Sequence, residues 1–267
     1  MEILGYLASL IIGVSLGLIG GGGSILTVPV LVYLMGVAPV EATAYSLFIV
    51  GATSLIGAIP KFRHGLVDLR TALVFGAPSI LAVYATRKYL VPAIPEEVFS
   101  IGGFTITKSV LTMLLFAILM VAASLSMIRQ PRESAEGKDG ERAFNYPLIL
   151  VEGTVVGVLT GLVGAGGGFL IIPALVLLSR LPMKMAVGTS LAIIAAKSLI
   201  GFLGDLSNRT MEWGLLLTVT TLAIVGLFLG DRMSRRVDGA RLKKGFGWFV
   251  LVMGAYILLQ QLFFPIK

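Results

Sequence analysis

The chain has 267 residues, 57% of them hydrophobic and 13% charged, at a mean hydropathy of +0.97, which is more apolar surface than one soluble core can bury. It has no cysteine and a single histidine, His64, which excludes disulfides, thiolate or histidine metal centres and cysteine nucleophiles, and leaves redox chemistry without a carrier. Its net charge of +7 sits in short loops between apolar stretches, a pattern of membrane topology and not of a nucleic-acid surface.

These facts predict an all-α polytopic membrane protein. The first apolar segment covers residues 3–19, behind a start, Met1-Glu2-Ile3-Leu4, that lacks the basic region of a signal peptide and is expected to be retained. The run Gly20-Gly21-Gly22-Gly23 follows, and each glycine costs a helix roughly 1 kcal/mol relative to alanine. Residues 25–35 form a second apolar piece, too short for a hydrocarbon core that needs ~20 residues. The two pieces predict a re-entrant hairpin or a broken helix. Unpaired backbone groups at its tip are tolerated in a bilayer only against protein or a water-filled cavity.

Spans are predicted at 42–59, ending at Pro60, and at 71–90, with Pro78 as a kink. Residues 91–107 read as a longer loop with a Gly102-Gly103 turn signal, and 108–128 as a third span. The polar stretch from Arg129 to Arg142 reads as a solvated tether. A second set follows: a piece at 147–163, a second glycine break, a short piece at 169–178, and spans at 186–203, 214–230 and 245–264.

The second set repeats the first. Gly17 and Gly161, Pro29 and Pro173, Ser46 and Ser190, Ser54 and Ser198, and Gly57 and Gly201 are each separated by 144 positions, which argues for a duplicated four-element unit. The expected division is a first transmembrane repeat at 1–128, a cytoplasmic linker at 129–146 and a second repeat at 147–267. If each hairpin enters and leaves on one side, each half crosses three times and the second half is inverted. Basic residues favour that arrangement, with fifteen on the cytoplasmic side against five outside (Arg87, Lys88, Lys108, Arg209 and Lys267), whereas single-crossing breaks give about eleven against nine. Both termini are then outside, in the cytoplasmic membrane.

An inverted repeat sends one hairpin in from each side, so the glycine breaks approach each other near the midplane, as in secondary transporters. The short helices after the breaks would aim N-terminal dipole ends and free N–H groups at a common cavity that prefers an anion. The candidate substrate-binding groups are the backbone at Gly22, Gly23, Ser24, Gly167 and Gly168, the hydroxyls of Tyr45, Ser46, Thr189 and Ser190, and the ammonium of Lys197. A spacing of seven puts Ser190 and Lys197 on one helical face. An ammonium inside a span is a functional candidate, weighed against a snorkelling or carbonyl-paired side chain, and small hydroxyls and glycines are weighed against helix packing. Glu152 could carry a coupling proton but reads better as a carboxylate near the interface, His64 as solvated, Trp213 as an interface anchor, and Arg232 to Lys244 as a topology and lipid-headgroup cluster. No catalytic residues, metal ligands or cofactor are expected, and the chain is read as a non-enzyme.

The two copies, Gly17-Leu18-Ile19-Gly20-Gly21-Gly22-Gly23 through Pro29 and Gly161-Leu162-Val163-Gly164-Ala165-Gly166-Gly167-Gly168 through Pro173, with Ala186-Val187-Gly188-Thr189-Ser190-Leu191, resemble the TauE/SafE family of membrane permeases. That resemblance implies an exporter of a small sulfur-containing anion, sulfite or an organosulfonate such as sulfoacetate. An anion channel, or a non-transporting scaffold or delivery partner for sulfur metabolism, is the alternative. The expected partners are the anion, the lipid bilayer and a coupling proton or ion, and no nucleic acid. Two departures stand out: Ser24 replaces the glycine found at Gly168, and Ala44-Tyr45-Ser46-Leu47 replaces Gly188-Thr189-Ser190-Leu191, which is expected to put the bulk and hydroxyl of Tyr45 in the cavity.

Overall fold

The computed structural model describes residues 2–101, 104–129, 146–164, 166–177, 181–206, 210–234 and 239–263. The tether predicted between Arg129 and Arg142 lies almost wholly outside the described residues, as do Arg180, Arg209, Arg235, Arg236 and Lys267.

The chain is built of helices. α1 (Glu2–Ile19) runs into a 3-10 segment (Gly20–Leu26), one turn of α-helix α2 (Thr27–Pro29) and a π turn (Val30–Leu34). α3 (Pro39–Arg63) and α4 (Leu69–Ala85) follow, and α4 continues through a π turn (Thr86–Leu90) into a last turn, α5 (Val91–Ala93). α6 (Lys108–Arg129), α7 (Tyr146–Val163), α8 (Gly168–Leu177), α9 (Met183–Leu206), α10 (Trp213–Ser234) and α11 (Gly239–Phe263) complete the chain. Among the described residues, 5 helices are long and apolar enough to cross a membrane, and α1, α7 and α11 contribute shorter apolar helices.

Local chemistry sets these limits. Pro39 opens α3 at the first helical position, where its missing N–H costs nothing. The Asp68 carboxylate caps α4 by accepting from the Thr71 amide at 2.8 Å. Pro60 lies inside α3 and does not end it. The loop expected at 91–107 is corrected in part: Glu97–Ile101 (β1) and Phe104–Thr107 (β2) pair antiparallel. Their β-branched and aromatic residues, on either side of Gly102-Gly103, favour an extended ribbon over irregular chain.

Helix pairing follows the 144-residue offset. α1 packs along α10 as α7 packs along α4, α3 meets α10 as α9 meets α4, and α3 crosses α9 while α6 packs on α11. Glycines make the outer pairs close. A methyl group on Gly13 would enter the carbonyl of Ala223, and one on Gly226 the carbonyl of Leu10; on the equivalent pair, a methyl on Gly157 would lie 2.6 Å from the Ser79 carbonyl oxygen and one on Gly153 2.6 Å from that of Phe75. Backbone cannot step aside as a side chain can, so Gly13→Leu is expected to destabilise the protein by about 3 kcal/mol. Thermal unfolding in detergent checks this, with Gly245→Leu, where the added group meets open space, as the near-neutral control.

Candidate functional site

The two glycine runs come together in the centre of this helix array. A methyl group on Gly168 would enter the backbone of Gly21, so the two chain reversals touch main chain to main chain. The apex glycines reach further, Gly20 to Val187 in the first turns of α9 and Gly164 to Thr43 in the first turns of α3. Thr43 and Val187 are themselves related by the offset. α1 has 18 residues and so measures about 27 Å, which lets each long arm carry its tip well into the opposite half of the array.

The tips are not alike. The second breaks outright between α7 and α8, with Gly164, Gly166 and Gly167 at φ of +73°, +63° and +70°, values only glycine adopts without strain. The first has a positive φ only at Gly20 and otherwise continues as the 3-10 segment. Both runs thus interrupt their α-helices as expected, the first by passing into the 3-10 segment after Ile19 and the second by an open break. They differ at Ser24, whose hydroxyl donates to the Gly21 carbonyl at 2.8 Å and closes the turn that its glycine counterpart, Gly168, leaves open. Only α8, with 10 residues, then presents a fresh helix N-terminus with its first amides unspent on the helix itself.

Lys197 faces that terminus. Its side chain is wholly buried, its Nζ donates to the Thr160 hydroxyl at 3.1 Å, and a methyl on Gly167 would stand 2.6 Å from that Nζ. Thr160 in turn donates to the Gly157 carbonyl at 3.3 Å, which holds its lone pairs toward the ammonium. Among the described residues no carboxylate pairs with Lys197. The offset counterparts of Lys197 and Thr160 are Thr53 and Leu16, so the cation belongs to one half of the duplicated site.

The other predicted side chains divide into two groups. Tyr45 and Thr189, equivalent by the offset, each accept a backbone N–H from the residue ahead of a span in the other half, Tyr45 from Glu212 before α10 at 3.0 Å and Thr189 from Asp68 before α4 at 2.9 Å. The Tyr45 hydroxyl expected in the cavity is directed to that loop. Ser190 is fully buried and donates to the Val187 carbonyl at 2.9 Å, a bond within its own helix. The buried hydroxyls of Ser46, Ser54 and Ser198 have no hydrogen-bond partner among the described residues, leaving them free to meet a ligand or water. Gly22 and Gly23 lie in the 3-10 segment, with Gly23 packed on Ser15 and Leu16. An apolar groove between α4 and α7, lined by Ala82, Ala85, Tyr89, Thr154 and Val158, contains none of these residues.

Arg87, counted above among outside basic residues, is fully buried. Its Nη1 donates to the Thr43 hydroxyl at 3.0 Å and lies 3.4 Å from the Asp205 carboxylate. The sequence signal was the offset, which relates Arg87 to Asp231 and Asp205 to Lys61. Lys61 and Asp231 also form an ion pair, at 2.9 Å.

The family model described as Sulfite exporter TauE/SafE matches residues 5–257. A protein named "Probable membrane transporter protein" from Xylella fastidiosa (strain 9a5c) is 29% identical over 255 residues, 93% of this chain and 91% of its own length. "Probable membrane transporter protein YunE" of Bacillus subtilis (strain 168) is 25% identical over 272 residues, covering 95% of this chain and 96% of that protein. No solved structure matches the chain.

Proposed function

The chain belongs to the sulfite exporter TauE/SafE family, and from that membership we propose that it is a secondary transporter that exports a small sulfur-containing anion, sulfite or an organosulfonate, by alternating access. Two inverted repeats, 1–128 and 147–267 with a cytoplasmic linker at 129–146, would place both termini outside the cytoplasmic membrane. The substrate would sit between the hairpin tips, held by the amides at Gly167 and Gly168, by Lys197 with Thr160, and by the Ser46 hydroxyl, with Ser190 joining only by exchanging its bond to the Val187 carbonyl. Gly22, Gly23 and Ser24 would close it from the first tip, and Tyr45 and Thr189 would set the spans that carry these groups.

The observation that carries this reading is the buried ammonium beside a helix N-terminus. Removing an ammonium from water costs several kcal/mol. One hydrogen bond from a charged donor returns about 1.5–3 kcal/mol, and the partial positive charge of the terminus adds repulsion of up to ~2 kcal/mol. Lys197 is fully buried with the Thr160 hydroxyl as its partner among the described residues. An anion between Lys197 and the first amides of α8 converts both unfavourable terms to favourable ones.

Titration of the purified protein with sulfite, sulfate, thiosulfate, sulfoacetate and chloride, read as a shift in thermal unfolding, tests the proposal. Saturable stabilisation by sulfite or sulfoacetate at concentrations where chloride has no effect is expected, since ligand binding to the native state alone raises stability. Equal shifts with every salt would contradict it. Thr160→Val removes the hydroxyl that orients Lys197 and keeps the volume, and is expected to weaken that binding about tenfold in the same titration.

A further inference from the structure

Two ion pairs are equivalent under the 144-residue offset with the charges exchanged: Lys61 stands where Asp205 does and Asp231 where Arg87 does. Each joins the same kinds of element. Lys61, near the end of α3, meets Asp231, near the end of α10, and α10 carries α1 and the first tip along its glycine contacts. Asp205, near the end of α9, meets Arg87, in the π turn after α4, and α4 carries α7 and the second tip. The α3–α9 crossing thus holds one hairpin-bearing helix pair by each ion pair, at opposite ends of the crossing.

The ends differ in their contact with water. The Arg87–Asp205 side chains are 0% and 2% exposed, whereas those of Lys61–Asp231 are 27% and 29% exposed. Arg87 is further tied through Thr43 to the chain that contacts the apex at Gly164.

We propose that Lys61–Asp231 and Arg87–Asp205 are the two gates of the transport cycle, each releasing one hairpin-bearing helix pair from the α3–α9 crossing to open the site at its own end. This rests on the alternating-access reading above. Charge exchange between the halves keeps both pairs attractive while preventing either half from pairing with its own copy. The gates are unequal: a partly exposed pair contributes little, whereas removing one partner of a buried pair leaves the other charge buried without its counter-charge. The Arg87 end is therefore held shut more firmly.

The absence of cysteine makes single reporters clean. Leu191 packs on Gly57 and near Leu227, residues one turn before Lys61 and Asp231; Leu47 packs on Gly201 near Val83, one turn before Asp205 and Arg87. Leu47→Cys or Leu191→Cys, labelled with a membrane-impermeant maleimide in right-side-out and inverted vesicles, reads each end. Asp205→Asn is expected to label the Leu47→Cys reporter at least about tenfold faster and the Leu191→Cys reporter more slowly. Asp231→Asn should do the reverse, by about two- to fivefold. The exchange Arg87→Asp with Asp205→Arg should return the Leu47→Cys rate toward its starting value. Equal acceleration of both reporters, or none in either, would overturn the gates. Because labelling needs no substrate, it is independent of the carriage reading, whose own failure is an unmodified protein that shows no saturable exchange.

Discussion

Lys197→Met is expected to abolish transport while leaving the protein folded. Methionine has nearly the length and volume of lysine without its charge, and replacing a buried ion by an apolar group of similar volume is often neutral or stabilising. The side chain is fully buried and its partner among the described residues is the Thr160 hydroxyl, which retains its own bond to the Gly157 carbonyl. The substituted protein should therefore unfold at the same temperature as the parent, or higher, in the absence of anion. Its anion site would have lost the full positive charge of Lys197. A hydrogen-bonded charge pair formed away from water contributes several kcal/mol once the partner charge is already buried, which corresponds to a loss of at least about a hundredfold in anion affinity. Uptake of labelled sulfite into proteoliposomes, measured beside the unfolding temperature, separates this from a folding defect. Lost uptake with retained stability is the expected pattern. Lys197→Arg should not rescue, since the larger guanidinium has to enter the space where a methyl on Gly167 would already stand 2.6 Å from Nζ.

Gly167→Ala is expected to have a comparable effect by a different route. Gly167 has φ +70°, and its added methyl would enter the Thr160 side chain and come 2.6 Å from Lys197 Nζ. The left-handed backbone alone costs an L-residue roughly 1–2 kcal/mol. The clash adds to this by driving the Thr160–Lys197 pair off its geometry. Gly36→Ala supplies the control, because Gly36 has φ +71° but an added methyl there meets nothing within 4 Å. Gly36→Ala should show only the backbone cost as a lower unfolding temperature and keep its transport. Gly167→Ala should lose at least about a hundredfold in kcat/KM. Equal effects of the two substitutions would show that positive φ, and not the crowding around Lys197, explains the glycine run.

The outline of the fold was legible because glycine and proline punctuate apolar sequence for physical reasons that survive burial. The breaks at Gly20 and Gly164 and the helices between them follow directly from hydropathy and helix breakers. Lys197 was legible because an ammonium in a span demands an account. Thr160 was not, since a threonine in an apolar helix looks like any packing residue until its neighbour is known. Ser24 was visible as a departure, but its effect was not. A hydroxyl that bonds back to Gly21 lies within the 3-10 passage that follows the break at Gly20, and local side-chain bonds of this kind compete with the backbone in ways composition cannot rank. Tyr45 shows the same limit, because its hydroxyl meets the Glu212 amide, 167 residues away in sequence. Arg87 was misplaced for a different reason. Counting basic residues at span ends treats each as solvated, whereas the π turn that extends α4 keeps Arg87 inside, opposite Asp205.

Counterflow tests the central claim most directly. Proteoliposomes of the purified protein are preloaded with unlabelled sulfite, diluted into a trace of labelled sulfite, and followed with and without Lys197→Met. A carrier with one anion site reached alternately from the two sides predicts transient accumulation of label above its equilibrium level in the unmodified protein, saturating with internal sulfite, and none with Lys197→Met. Label that only equilibrates, at a rate proportional to concentration and unchanged by Lys197→Met, would contradict both carriage and the site.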